Sequence, residues 1–320
     1  MSSGPPLEER IFAACNPGFE PVLARELAGL GLDARAVPGG AEAHGPDAIA
    51  LACLGSRAAD AVSLRLHQGE PSGVDGALRE ARRRFGREAD LAVRRHTGEV
   101  TLSIDAAGGP LYKRGWRQRI GAAPLRETVA AAMLLFCGYD GSVPFLDPMC
   151  GSGTLAIEAA LIAARRAPGL GRTFAFESWP GHDPARTEAL RKRFAAQERK
   201  PPQPVHASDR NAGALRLAGK NAEAARVAPF VRFERMDAGQ VMPPDGPGIC
   251  AVNPPYGERL TEEVDEAWRA LGSLSVKLGG WTLCVLAPEK LVGSLPERPN
   301  AVKTRVRNGG IACVVWRARV

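Results

Sequence analysis

Val143-Pro144-Phe145-Leu146-Asp147-Pro148-Met149-Cys150-Gly151-Ser152-Gly153-Thr154 decides the fold of this chain. A short apolar run ends in an acid, two glycines follow two residues apart, and an Ala/Leu/Ile-rich stretch then runs from Thr154 to Ala164. The order is that of a buried strand, a tight turn and a helix. Glycine lets backbone approach a ligand closely, and a helix start presents unpaired N–H groups to polar or anionic atoms. The lysine of G-x-x-x-x-G-K-[ST] is missing, and Ala156 stands where G-x-G-x-x-G has its third glycine, so neither the P-loop nor the strict three-glycine dinucleotide fingerprint is present. A nucleotide-like ligand held around Asp147, Pro148, Cys150, Gly151, Ser152, Gly153 and Thr154 is the expectation, although a ligand-free β-to-α turn has the same local sequence.

Outward from this stretch, helix-like and strand-like segments alternate. Helices are expected over Arg126 to Phe136, Ala212 to Ala225 and Glu263 to Leu278, with strands over Val205 to Ser208, Val231 to Arg235, Gly248 to Val252, Trp281 to Ala287 and Ile311 to Val315. Such alternation argues for an α/β, doubly wound and mostly parallel sheet, with ligands at the carboxyl ends of its strands. Residues 165–204 interrupt the rhythm and read as an insertion with one amphipathic helix. Upstream, Ile11 to Ala14 is a short apolar run, and the spacing of Phe19, Val22, Leu23, Leu27 and Leu30 predicts a helix. Val37 to Leu54 reads as strands around Gly39-Gly40, then come a helix over Val74, Leu78, Ala81 and Phe85, and strands at Leu91 to Arg94 and Val100 to Ile104. These form a smaller α+β domain, and Gly108-Gly109-Pro110 marks the boundary, giving domains 1–109 and 110–320.

Two further acids close strands of the expected sheet. Asp209, followed by Arg210, ends a strand where an acid can accept hydrogen bonds from ribose hydroxyls, and Asp237, followed by Ala238, ends the next, placed for an adenine amino group. Each alone has the composition of a surface turn. Asn253-Pro254-Pro255-Tyr256 follows the apolar run Ile249 to Val252. The prolines stiffen the loop and remove donors. An exocyclic base amine is a poor nucleophile because its lone pair is delocalised into the ring. The Asn253 side-chain oxygen and the Pro254 carbonyl are suited to accept its two hydrogens, and Tyr256 to stack on the base. Cradle and clamp together suggest methyl transfer to a nucleobase, with Asn253, Pro254, Pro255 and Tyr256 as catalytic residues and Asn253 also bordering the cofactor.

The chain has 320 residues, with 42 Lys+Arg against 35 Asp+Glu, a net charge of +7 that suits a polyanionic partner. Tyr112-Lys113-Arg114-Gly115-Trp116-Arg117-Gln118-Arg119 interleaves cations with aromatics, so Lys113, Arg114, Trp116, Arg117 and Arg119 are candidate RNA contacts; a solvated linker has the same composition. Arg79, Arg82, Arg83, Arg84 and Arg87 lie along one helix-like stretch. Seven scattered cysteines without a C-x-x-C pair argue against a disulfide framework and a zinc site, and five dispersed histidines support neither a metal site nor a hydrolase triad. A polar N-terminus and no apolar run of about 18 residues lead to a cytoplasmic, membrane-free expectation.

On these residues the chain resembles the THUMP-associated guanine-N2 RNA methyltransferases. The resemblance rests on Leu111 to Arg117, Ala123-Pro124-Leu125-Arg126-Glu127, Asp147 to Thr154 continuing through Ile157-Glu158-Ala159-Ala160, Phe174-Ala175-Phe176-Glu177 with Trp179-Pro180-Gly181, Asn253 to Leu260, and Arg307-Asn308-Gly309. It implies a Rossmann-like class I methyltransferase domain and S-adenosylmethionine as methyl donor. Asp147, Gly151 and Gly153 would surround its amino-acid end, Asp209 its ribose and Asp237 its adenine, with Arg126-Glu127-Thr128 beside the site. It also implies action on RNA, either rRNA or a ribosomal precursor, most naturally 23S rRNA, or tRNA; a monomer is the expectation. Cys15-Asn16-Pro17-Gly18-Phe19-Glu20 looks like the ferredoxin-like start of these enzymes, whereas the stretch from Leu64 to Ala92 is short for a complete THUMP domain. Adenine-N6 methylation of DNA or RNA, and a catalytically silent RNA-binding protein, are the competing expectations.

Overall fold

The computed structural model describes residues 9–86, 89–96, 98–117, 125–256 and 261–320. Contacts divide the chain into two compact units. The first holds residues 1–16, 20–112 and 167–196, and the second holds 17–19, 113–166 and 197–320. The stretch 167–196, which interrupts the second half of the sequence, thus belongs by its contacts to the first unit.

The first unit opens as β1 (Glu9–Ala14), α1 (Glu20–Gly29), β2 (Asp33–Val37), β3 (Gly40–Gly45), α2 (Ala48–Gly55) and β4 (Ala61–Gly69), the β-α-β-β-α-β order of a ferredoxin-like fold. α3 (Val74–Phe85), β5 (Leu91–His96) and β6 (Glu99–Asp105) extend it into a six-stranded sheet ordered β2-β3-β1-β4-β6-β5, with every pairing antiparallel. Alternation sets the faces: Ile11 and Ala13 on β1 are buried, while Arg10 between them and the chain start is exposed.

The strand expected up to Leu54 is a helix from Ala48 onward. All eight residues of α2 are buried, so its sequence carries no polar face to mark a helical period, and a continuous apolar run is ambiguous by periodicity alone. Two local features start the helix. Asp47 turns the chain in a left-handed conformation (φ 59°), and the Glu9 carboxylate accepts from the Ile49 N–H at 2.8 Å. β2, β4 and the later β12 were not anticipated; β2 reads Asp-Ala-Arg-Ala-Val, polar on an edge where no second face needs to be buried.

The inserted stretch carries the one helix expected of it, α6 (Pro184–Ala195). Asp183 caps it by accepting from the Ala185 and Arg186 N–H groups at 3.0 and 3.2 Å, and Leu190 and Phe194 are buried. Backbone bonds from Gly169 N–H to the Leu54 carbonyl (2.9 Å) and from Phe176 N–H to the Ala106 carbonyl (3.0 Å) fasten it to the unit.

The second unit follows the expected alternation: α4 (Glu127–Phe136), β7 (Phe145–Asp147), α5 (Thr154–Ala163), β8 (Val205–Asp209), α7 (Ala212–Ala224), β9 (Val231–Arg235), β10 (Ile249–Val252), α8 (Thr261–Lys277), β11 (Thr282–Pro288), β12 (Val302–Asn308) and β13 (Ile311–Arg319). The sheet order is β12-β13-β11-β10-β7-β8-β9. β7 to β11 run parallel, and β13 and β12 pair antiparallel. α5 is buried at all ten positions, and Trp281 and Trp316 fill one flank of the core with Leu274, Leu278 and Val285. Strand order reverses between β7 and β10. Connections there leave in opposite directions, which opens a crevice at the carboxyl ends of these strands.

Candidate active site

The crevice is built from the loops after β7, β8, β9 and β10. Gly153 caps α5 in a left-handed conformation (φ 86°), and a Cβ there would lie 3.0 Å from that of Ala218 on α7, so glycine permits both the turn and the packing of α5 on α7. Gly151 also has positive φ (53°), but nothing stands within 4 Å of its missing Cβ. Its backbone faces open space.

Acids lock the turn. One oxygen of Asp209 accepts from Gly151 N–H at 2.9 Å and the other from Asn211 N–H at 2.8 Å, so one carboxylate sets the loops after both β7 and β8. Cys150 N–H adds a bond to the Ser208 carbonyl at 2.9 Å. Asp147 is 1% exposed and accepts from Met149 N–H at 3.4 Å. Burial, with Asp209 nearby, pushes its carboxyl well above the ordinary range despite that bond. Asp237 accepts from Gly239 N–H at 2.9 Å.

These loops enclose a cleft of about 500 Å³, within the ordinary range for small-molecule sites. Of the expected cofactor residues, Pro148, Gly151, Asp209, Arg210, Asp237 and Ala238 line it, and so do all four residues from Asn253 to Tyr256. Asp147, Cys150, Ser152, Gly153 and Thr154, also expected around the cofactor, build the turn beside the cleft and do not line it. The turn points the Cys150 and Thr154 side chains into the protein, and Ser152 offers its carbonyl to Asn221 at 3.0 Å. Sequence reasoning missed Met149, Asn211 and Ala214, and on α8 Glu263, Ala267 and Ala270. The last three recur at four- and three-residue spacing, so one face of α8 meets the cleft with mostly small side chains.

The Asn253-Pro254-Pro255-Tyr256 segment leaves β10 directly. The Asn253 Oδ1 atom is buried and has no hydrogen-bond partner among the described residues. A buried carbonyl oxygen left so costs about 1–3 kcal/mol and retains its capacity to accept a hydrogen bond. Asn308, 6% exposed at the end of β12, donates from Nδ2 to the Tyr256 hydroxyl, and Cys313 on β13 also meets it. Burial pushes the Tyr256 phenol up to about 12, so the ring is neutral at physiological pH and offers an uncharged stacking face.

Comparison with known proteins gives this geometry its family. Residues 114–317 match the model described as UPF0020, RMKL-like, methyltransferase domain, and residues 10–63 match the RlmL ferredoxin-like domain. The chain belongs to this methyltransferase family. It is similar to the Ribosomal RNA large subunit methyltransferase K/L of Vibrio campbellii, 37% identical over 232 residues that make up 69% of this chain and 33% of that protein. The chain thus spans about a third of the length of such curated relatives. Among solved structures, a possible methylase from Clostridium difficile 630 superposes with TM-score 0.85 at 25% identity, covering 98% of each chain. A second structure, complexed with SAH, superposes with TM-score 0.83 at 24% identity over 98% of this chain and 99% of its own.

The family match begins at Arg114, within the basic and aromatic stretch, and here the structure corrects the sequence expectation. Arg114 pairs with Glu158 at 3.3 Å, their side chains 3% and 0% exposed. Arg117 bonds Glu127 (3.0 Å), the Leu125 carbonyl (2.7 Å) and Thr154 Oγ1 (3.0 Å). Trp116 is 5% exposed. Arg114, Trp116 and Arg117 are therefore interior groups of this fold, and the two arginines turn their heads to carboxylates that would be stranded without them. Lys113 is exposed, and Arg119 lies outside the described residues. Glu127, expected beside the cofactor, instead anchors Arg117, and burial raises its carboxyl in spite of that cation. Among the described residues no group of three or more His, Cys, Asp or Glu has the arrangement to hold a metal, and no helix is long and apolar enough to cross a membrane.

Proposed function

We propose that this chain transfers a methyl group from S-adenosylmethionine to the exocyclic N2 amine of a guanine in RNA, with large-subunit ribosomal RNA as the substrate class. The observation that carries this is the buried Asn253 oxygen, without a hydrogen-bond partner among the described residues, in the lining of a strand-end cleft that also holds Asp209 and Asp237. The relatives' name, Ribosomal RNA large subunit methyltransferase K/L, supports the substrate class, and the SAH-bound neighbour supports the donor. We further propose a monomer working in the cytoplasm without a metal.

The residues present fit the donor. The open face of Gly151 admits its amino-acid end, and Asp209, with each oxygen accepting one backbone bond, retains lone pairs for ribose hydroxyls. Asp237 takes an adenine amine. When bound, the donor supplies an activated methyl on a sulfonium, so the protein needs no strong base. Asn253 Oδ1 and the Pro254 carbonyl accept the two hydrogens of the target amine, which holds the nitrogen lone pair out of conjugation and aimed into the cleft. Tyr256 stacks on the base and fixes its plane.

An adenine N6 amine presents the same two hydrogens to the same clamp, and the test must separate the two. Labelled methyl transfer to total RNA from a strain lacking the gene, followed by nucleoside mass spectrometry, does so. N2-methylguanosine is the expected product; N6-methyladenosine would replace the base assignment, and no incorporation despite donor binding would replace the activity.

A further inference from the structure

The motif Phe174-Ala175-Phe176-Glu177 with Trp179-Pro180-Gly181 has no role in the cleft described above. It lies in the inserted stretch of the first unit, where it walls a second cavity of about 480 Å³. The opposite wall is the end of α3: Phe85 and Trp179 meet edge to face with centroids 5.0 Å apart, and Arg84 lies 4.8 Å over the Phe85 ring. Arg10 of β1 also lines the cavity. Arg186 is tied to Asp47, whereas Arg10 and Arg84 reach the cavity without an ion-pair partner among the described residues. Beyond the rim, α3 presents Arg79, Arg82 and Arg83 to solvent, with Arg83 bonded to Glu80. Glu9 at the start of β1 lines the cavity, accepts from Ile49 N–H, and burial raises its carboxyl above the ordinary range.

Glu9, Asp47 and Asp183 also line the cavity, and Glu9 acts on Arg84 through space without pairing with it. Aromatic edges beside arginines that close no ion pair among the described residues, opening onto a basic helix, are the ingredients of single-strand nucleic-acid recognition: rings stack on an unpaired base while guanidinium groups meet its phosphates. An acidic or apolar partner would meet only half of this surface. We propose that the cavity between α3 and residues 175–186 is a second nucleotide site, which takes one unstacked base of a single-stranded RNA segment against Trp179 and its flanking phosphates on Arg84 and Arg10. Glu9, in the lining, has a second carboxyl oxygen to accept a base N–H. The inference deepens the RNA reading of the cleft and rests on it. It gives the ferredoxin-like unit a docking function and gives the Phe174–Gly181 motif a reason.

The test uses the full chain and a short fluorescein-labelled single-stranded RNA, with binding read by anisotropy across a salt series. Trp179→Ala should weaken binding about tenfold, and Trp179→Phe, which keeps a stacking ring, should stay within about threefold of wild type. Arg84→Gln, an exposed substitution that leaves folding intact, should weaken binding about threefold to tenfold and lower the salt slope by about 0.7. It should also raise KM for RNA while kcat at saturating RNA holds. Binding by Trp179→Ala and Arg84→Gln within about twofold of wild type, in a protein that still methylates RNA, overturns this site and leaves the proposed function standing. A wild-type protein that neither binds nor methylates RNA overturns both. Competition by polyglutamate as effective as that by RNA would make the cavity a plain cation patch and also overturn the stacking claim.

Discussion

Replacing Asn253 by alanine should make the protein more stable and less active at once. The Oδ1 atom is buried without a partner among the described residues, so the folded state carries a desolvation penalty of about 1–3 kcal/mol that alanine removes. Some packing of the amide is lost, and the net gain should be about 1 kcal/mol, which raises Tm by about 2–4 °C for a unit of this size. The acceptor for the target amine disappears in the same change. Loss of one aligned polar group of this kind costs about 2.7–4 kcal/mol of transition-state stabilisation, about a 10²- to 10³-fold fall in kcat. Donor affinity rests on the Gly151 turn, Asp209 and Asp237 and should remain within about threefold. Differential scanning fluorimetry, calorimetry with S-adenosylhomocysteine and single-turnover methyl transfer read the three quantities on one preparation. A Tm that falls by more than about 3 °C would mean that Oδ1 is satisfied within the fold. Turnover within about threefold of wild type would refute the clamp assignment.

Asn308→Ala releases the Tyr256 hydroxyl and should lower kcat/KM about tenfold while donor Kd, read by calorimetry, stays within about twofold; equal loss of donor binding would assign Asn308 to the fold rather than to the clamp. Asp209→Asn exchanges a carboxylate that accepts two backbone N–H bonds for an amide, and should weaken donor binding at least about tenfold. Asp147 has a raised folded-state pKa, so its ionisation disfavours the fold: the penalty is absent below the unfolded value of 3.8 and grows as pH rises from there towards the folded value. Asp147→Asn keeps an acceptor for Met149 N–H and should therefore melt higher than wild type at neutral pH, with the difference shrinking as pH falls to 3.8. Arg114→Ala strands Glu158 in the interior and should cost about 3–5 kcal/mol, or about 10 °C in Tm; a stable variant with weakened RNA binding would return Arg114 to the RNA surface.

Local patterns carried most of the second unit. Where a strand is buried and a helix follows within one short loop, as from Phe145 to Ala163, the periods, the glycines and the terminal acid all point the same way, and the alternation from β7 to β11 is readable as a parallel sheet, although its edge strand β12 is not. The Asn253–Tyr256 segment was legible as a stiff loop after β10 for the same reason: its two prolines restrict the backbone wherever they stand.

Tertiary structure decided what adjacency in sequence conceals. α2 is apolar on every side because neighbours cover all of it, so its helix could not announce itself by period. Arg114 and Arg117 have the composition of an RNA contact, yet Glu158 and Glu127 stand 44 and 10 residues away and draw them inward. Asn308 reaches Tyr256 across 52 residues because β12 and β13 close the sheet beside β11. The stretch 167–196, interrupting one unit in sequence, belongs by contact to the other. Backbone preference is settled within a few residues and can be read there, whereas the fate of a charge or an apolar face depends on which distant group removes it from water.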